Sequence, residues 1–302
     1  MRIVLAGGTG FIGRALRGAL IARGDTVALL TRDAAAAAAS WGLMKAVLWD
    51  GKTSGDWAKT VDGADAVINL SGENVAEGRW TAERKLVLAK SRLDSTRALV
   101  AAMAAAKNRP RIFLNASAVG YYGGAPKGVL TETSPQGADF LAALCGQWER
   151  EAFAAEKLGA RVATLRLGVV LGRDGGALAR MALPFKLFLG GPLGSGRQDV
   201  AWIHWADVVG AVLFILDRRK VSGPVNLVAP HAPTNAEFSA ALGRALHRPC
   251  WTVAPAFLIR LALGEMAEMI LGGQNARPQK LLDAGFRFQH PAVDGALSTL
   301  FQ

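Results

Sequence analysis

The chain has 302 residues, 51% of them hydrophobic, with 35 Lys+Arg against 24 Asp+Glu and a formal net charge of +11. That length admits a large domain with a smaller part and an ample core, and apolar runs interrupted by charge argue against a membrane span. Two cysteines, Cys145 and Cys250, exclude a disulfide framework and zinc spacing, and basic residues scattered without a block of five argue against a nucleic-acid partner.

Short β-branched or apolar runs at 2–6, 26–31, 46–48, 66–70, 112–115 and 162–167 alternate with helical patterns at 11–23, 82–106 and 140–158. This is the rhythm of a doubly wound parallel sheet, an α/β Rossmann fold whose strands lie between two helical layers. The run 34–39 is alanine-rich and helix-prone. After Gly168 comes a glycine-rich segment, Gly190-Gly191-Pro192-Leu193-Gly194-Ser195-Gly196, and then a helix that Asp207 is expected to cap. A strand at 225–228 is expected to return to the core, and Thr234-Asn235-Ala236-Glu237 has capping-box spacing ahead of a helix. The stretch 256–271, carrying Arg260, Glu265 and Glu268, reads as one amphipathic helix. The expected division is 1–169 for the sheet domain and 170–302 for a smaller part, some of whose segments return to the first. A strand starting at Arg2, with no leader before it, places the chain in the cytoplasm as an expectation.

Gly7-Gly8-Thr9-Gly10-Phe11-Ile12-Gly13 lies directly between the first strand and the first helix. Gly7 suits a tight turn, Gly10 leaves room for a pyrophosphate, and Gly13 allows the helix to pack on the sheet. The phosphates would meet the free N–H groups at the helix start, Phe11 and Ile12 included. At the end of the second strand, where an NAD enzyme carries an acid for the ribose 2′-hydroxyl, stand Thr31 and Arg32. Arg32 can donate to a 2′-phosphate, a charge-assisted contact of roughly 1.5–3 kcal/mol, or at least tenfold in favour of NADP. The alternative is a solvated surface arginine.

Further motifs accompany the loop: Asn69-Leu70-Ser71-Gly72-Glu73-Asn74, Ser91-Arg92-Leu93, Trp148-Glu149 and Gly168-Val169-Val170-Leu171-Gly172. Trp202-Ile203-His204, Thr234-Asn235-Ala236-Glu237-Phe238 and Pro278-Gln279-Lys280-Leu281-Leu282 follow. With them the chain, over nearly its whole length, resembles the extended short-chain dehydrogenases/reductases and, within them, an NAD(P)-binding epimerase-like subgroup. The resemblance implies cofactor contacts at Thr31, Arg32, Leu70, Ser71, Arg92 and Val169. Leu70 and Ser71 end a parallel strand, where open α/β sheets bind ligands.

The wider family pairs a serine or threonine with Tyr-x-x-x-Lys, the lysine tuning the tyrosine for proton exchange with an alcohol or carbonyl. Ser117 occupies the serine place after the fifth strand, a strand-end polar residue being the alternative. Leu141 and Cys145 stand where the tyrosine and lysine belong, and neither can do that chemistry. Only Tyr121 and Tyr122 offer a phenol. Each is a candidate acid or an aromatic wall, with Ser117 and Tyr121 the expected catalytic pair. His204 is a candidate acid–base group or a structural residue beside a helix cap. The reading is an NADP-dependent oxidoreductase or epimerase on a small polar substrate, nucleotide sugars among the candidates, with no metal, membrane or nucleic-acid partner. The rivals are a non-catalytic NADP-binding sensor or scaffold, and a nucleic-acid-associated regulator supported only by charge.

Overall fold

A computed structural model describes residues 1–33, 35, 44–124, 126, 128–173 and 175–301. The helix-prone run 34–39 lies outside the described residues apart from Ala35. The first half of the chain runs β1 (Arg2–Ala6), α1 (Phe11–Ala22), β2 (Thr26–Thr31), β3 (Lys45–Leu48), β4 (Ala66–Asn69), α2 (Ala82–Ala105), β5 (Ile112–Ala118) and β6 (Val129–Leu130). Then come α3 (Phe140–Phe153), β7 (Arg161–Leu167), β8 (Val169–Leu171), α4 (Leu178–Lys186), β9 (Trp202–His204), α5 (Trp205–Asp217) and β10 (Gly223–Leu227). The chain ends with α6 (Asn235–Leu246), α7 (Ala256–Leu263), α8 (Ala267–Leu271), β11 (Asn275–Ala276), α9 (Gln279–Asp283) and α10 (Val293–Phe301).

Seven parallel strands lie in the order β10-β7-β5-β4-β1-β2-β3. The central strand β1 is apolar because both its faces are covered, and alternate residues serve opposite cores. Ile3 and Leu5 pack with Leu16 and Leu20 of α1 and with Val212 and Ile215 of α5. Val4 and Ala6 pack with Leu99 and Met103 of α2 and Ala152 of α3. The strand order reverses between β1 and β4, which opens a crevice at their carboxyl ends. The doubly wound parallel sheet expected from the sequence is present. Residues beyond 169 do return to it: β10 extends the sheet beside β7, and α5 covers it next to α1. Trp202, Phe238, Leu242 and Leu297 build a separate, smaller core.

Two expectations need correction. Asp207 does not cap the helix that starts after residue 204. The N-cap is His204, whose Nδ1 accepts from the Ala206 N–H at 3.2 Å. Asp207 sits inside the first turn, and its carboxylate accepts instead from the Gln289 and His290 N–H groups at 2.7 and 3.0 Å, tying down the C-terminal segment. The stretch 256–271 is not one helix: it breaks at Gly264, whose φ of +62° lies in the left-handed region, and a 3-10 turn over Gly264–Met266 separates α7 from α8. The capping box at Thr234 and Glu237 formed as read. No helix among the described residues is long and apolar enough to cross a membrane.

His204 is 4% exposed, and its Nε2 has no hydrogen-bond partner among the described residues. Its ring centroid lies 3.8 Å from that of His290. Burial and then the neighbouring His290 push its pKa from 6.5 down to about 4. Above pH 6.5 the neutral ring costs nothing. As pH falls from 6.5 towards 4 the unfolded chain binds a proton that the folded chain refuses, so up to about 3 kcal/mol of stability is lost in that window. Urea unfolding at pH 7 and pH 4.5 should reveal this loss, and His204→Asn, which retains a capping side chain, should remove most of the difference.

Candidate cofactor and catalytic site

The glycines of the first turn divide into two kinds. Gly7 has φ +76°, and a Cβ there would sit 2.5 Å from the backbone carbon of Leu70, so the crevice between β1 and β4 closes only around a glycine. A Cβ at Gly13 would meet the Gly7 oxygen at 2.2 Å, so helix and strand approach too closely for any side chain. The fold itself demands both glycines. Gly10 is different. Its φ of −72° suits any residue, and the only atom near a built Cβ is the Gly7 oxygen at 3.4 Å. Neither conformation nor packing requires glycine at this position, which leaves open space in front of the α1 N-terminus. A pyrophosphate needs that space. The Phe11 ring packs against Gly172, Gly175 and Gly176, and a Cβ at Gly172 or Gly175 would come within 2.1 or 2.7 Å of it. Phe11 can therefore offer a phosphate only its backbone, and Ile12 packs against the core beneath.

At the far end of the crevice Thr31 is buried, and its Oγ1 accepts from the Asp33 N–H at 3.2 Å, bending the chain after β2. The Arg32 side chain is 81% exposed, with one nitrogen 3.9 Å from a Glu73 oxygen. Arg84 approaches the other Glu73 oxygen at 3.8 Å. Arg92 is not a solvated helix charge: it donates to the Leu88 and Glu73 carbonyls at 3.0 and 2.9 Å and lies 5.2 Å from the Trp148 ring. Burial opposes its charge and lowers its pKa. Its work in this structure is to hold the loop after β4 in place. In that loop the Ser71 N–H donates to Asn69 Oδ1 at 3.0 Å, and Asn69 is anchored on Asn115 and Thr96. Val169 begins β8, where its N–H donates to the Ala201 carbonyl at 2.7 Å.

At the carboxyl end of β5, Ser117 is 2% exposed and donates to Glu149 Oε1 at 2.7 Å. Glu149, on α3, is held by a two-point ion pair with Arg166 of β7, both contacts at 2.8 Å. Burial works against the Arg166 charge, but hydrogen bonding and attraction to Glu149 outweigh it and raise its pKa. The two tyrosines separate clearly here. Tyr122 is buried, and its hydroxyl is engaged with Arg166, Asn226 and the Thr131 carbonyl, while burial raises its pKa. Tyr121 is only half-buried, stacks its ring 3.5 Å from the Arg166 guanidinium, and makes no hydroxyl hydrogen bond among the described residues.

Leu141 packs on Gly120, and the Cys145 thiol is pushed up to about 12 by burial and by Glu149. The absent Tyr–Lys pair is therefore not restored by its replacements. His204 lies at the cap of α5, outside the Ser117 to Tyr122 network. Sequence reasoning missed Arg166 and Glu132. Glu132 is 7% exposed and accepts at Oε1 from the Asn226 and Lys280 N–H groups. The available signal for Arg166 was a charged residue inside the apolar strand Val162-Ala163-Thr164-Leu165-Arg166-Leu167, since a buried charge requires a partner. No group of His, Cys, Asp and Glu able to hold a metal occurs among the described residues.

This geometry agrees with comparisons to known proteins. Residues 3–228 match the family described as the NAD dependent epimerase/dehydratase family, and residues 254–300 match a domain of unknown function. An epimerase family protein of Mycobacterium leprae is 40% identical over 297 residues, spanning 98% of this chain and 94% of that protein. A crystal structure of the human epimerase family protein SDR39U1 (isoform 2) with NADPH is 36% identical, covers 99% of both chains and has a TM-score of 0.88. A nucleoside-diphosphate sugar epimerase from Corynebacterium glutamicum, 27% identical, covers all of this chain and 58% of its own, with a TM-score of 0.81. The glycine turn at the β1–β4 crevice and the whole-length likeness lead to one conclusion: this chain belongs to the NAD dependent epimerase/dehydratase family.

Proposed function

We propose that the chain is an NADP(H)-dependent oxidoreductase of epimerase type, working in the cytoplasm on a small polar substrate, with nucleotide sugars the first class to test. The observation that carries the reading is the open space at Gly10, kept free where neither backbone nor packing needs it. Residues 1–169 serve as the cofactor domain and 170–302 as the substrate-facing part. The residues present fit the cofactor. Gly10 and the backbone of Phe11 and Ile12 would take the pyrophosphate, Leu70 and Ser71 the crevice wall, and Arg32 the 2′-phosphate. Gly7, Gly13 and Thr31 shape the turns, and Arg92 positions the wall loop. Bound there, NADP(H) would supply hydride transfer. The human relative with NADPH supports this choice of cofactor, and the name of the Corynebacterium relative supports the substrate class.

The chain's own part is to orient substrate and handle a proton. Phenols hold their proton at neutral pH, so Tyr121, whose hydroxyl makes no hydrogen bond among the described residues, suits donation to an alcohol or carbonyl oxygen. Ser117 lies behind it on β5, its own proton committed to Glu149. Arg166 joins the two, paired with Glu149 on one side and stacked under Tyr121 on the other. A second reading, a non-catalytic NADP(H) sensor or scaffold, is favoured by Leu141 and Cys145 at the positions of the missing pair.

Two measurements test these readings. In titration calorimetry NADPH should bind at least about tenfold more tightly than NADH. Arg32→Ala should erase most of that difference, and Gly10→Val, whose backbone tolerates valine, should block both cofactors in a folded protein. Equal affinities in the unmutated chain would defeat the NADP assignment. Once a screen of carbonyl compounds and nucleotide sugars yields NADPH turnover, Tyr121→Phe should lower the rate by about 10²–10⁴ with cofactor affinity unchanged. Full activity in both Tyr121→Phe and Ser117→Ala would place the proton donor elsewhere, and a broad screen without turnover would favour the sensor.

A further inference from the structure

Scattered exposed apolar side chains are normal, but here they are concentrated. Of sixteen large hydrophobic residues exposed among the described residues, nine fall in two segments, 183–189 and 251–261. The segments form one surface. The Trp251 N–H donates to the Gly190 carbonyl at 3.1 Å, its indole Nε1 to the Phe188 carbonyl at 2.8 Å, and Thr252 Oγ1 to the Leu189 carbonyl at 2.8 Å. The Ala254 N–H reaches the Pro192 carbonyl at 3.0 Å, and α7 begins two residues later. No residue of α7 is buried, although its sequence is Ala-Phe-Leu-Ile-Arg-Leu-Ala-Leu. Trp251, Phe257 and Leu261 are 72%, 67% and 72% exposed.

Cations outnumber anions around this face, which Glu265, Glu268 and Asp294 border. Residues 175–198 and 238–264 contain no Asp or Glu, but they carry Arg180, Lys186, Arg197, Arg244, Arg248 and Arg260. Arg244 and Arg260 are paired with Asp294 and Glu268. Lys186 and Arg248 have no acidic partner among the described residues, and Arg248 lies 4.8 Å from the Phe188 ring. A second copy of the chain would bring like charges together across this face. An anionic bilayer answers both features: its acyl boundary takes an exposed apolar helix and aromatic rings, and its headgroups take the cations.

We propose that the chain docks peripherally on anionic lipid through the face made by the end of α4, Trp251 and α7. The proposal is independent of the chemistry in the crevice. The test is co-sedimentation of the full chain, with NADPH added, on vesicles of phosphatidylcholine alone and of a roughly 7:3 mixture with phosphatidylglycerol. The protein should pellet with the anionic vesicles, less so as salt rises, and remain free of the neutral ones. Phe257→Glu with Leu261→Glu should lower partitioning by about tenfold or more, and Lys186→Glu and Arg248→Glu by about fivefold each. NADPH binding should remain intact in all of them, showing that the variants fold. Absence of binding to anionic vesicles, equal binding to neutral ones, or indifference to these substitutions would overturn the proposal. So would lipid-free self-association abolished by Phe257→Glu, which would make a second copy the occupant. Binding to poly-glutamate as tight as to the vesicles would do the same in favour of an acidic protein.

Discussion

A buried guanidinium in the middle of a parallel sheet cannot stand alone, and much of the carboxyl edge is organised around satisfying it. Arg166 is 2% exposed in β7 and meets Glu149 of α3 through two parallel hydrogen bonds. Removing one partner of such a pair typically costs about 3–5 kcal/mol, because the other charge is left unanswered. Arg166 Nη1 donates to Tyr122 and to the Glu132 carbonyl. Tyr122 meets Asn226 in β10, and Asn226 donates to the Arg277 carbonyl near the chain's end. One ion pair thus connects β5, β7, β10, α3 and the C-terminal segment, and it places Ser117 and Tyr121 on either side of itself.

This arrangement assigns different work to residues that look alike. Tyr121 and Tyr122 are neighbours at right angles, 5.5 Å apart, yet one hydroxyl is locked inside the network and the other is not. Gly7, Gly10 and Gly13 of the turn follow the same logic. Gly7 and Gly13 are consumed by close backbone contacts, and Gly10 leaves open space beside it. In both cases the candidate offers a group, a hydroxyl or an open space, that the described residues do not engage.

The two halves of the chain serve different constraints. The first builds a sheet whose central strands are covered on both faces, so their apolar residues are buried, while Leu48 on the edge strand β3 is left 63% exposed. The second contributes β10 and α5 to that sheet and then leaves α7 and the end of α4 with apolar side chains facing outward. The crevice chemistry depends on rigid strand ends, whereas the outward face depends on surface composition, so one can change without disturbing the other.

The parallel sheet, the glycine turn and the Thr234 capping box were legible in the sequence because each depends on local spacing: strand and helix periods, a turn between them, and a cap three residues from its partner. The same counting places Arg32 directly after β2, where its side chain is 81% exposed. The Asp207 assignment failed because a helix cap is decided by competition: His204 lay nearer the start, while distant backbone N–H groups claimed the carboxylate. The continuous helix over 256–271 failed because Gly264 took a left-handed conformation that periodicity does not register. Arg166, Glu149 and Glu132 belong to three separate segments, and only folding brings them within hydrogen-bond reach. The sequence alone therefore determined the fold class and the position of the cofactor loop. Among the described residues, tertiary structure decided which tyrosine hydroxyl is engaged, which glycine is open and which apolar helix stays exposed, because each depends on atoms remote in the chain that occupy, or leave vacant, the space beside it.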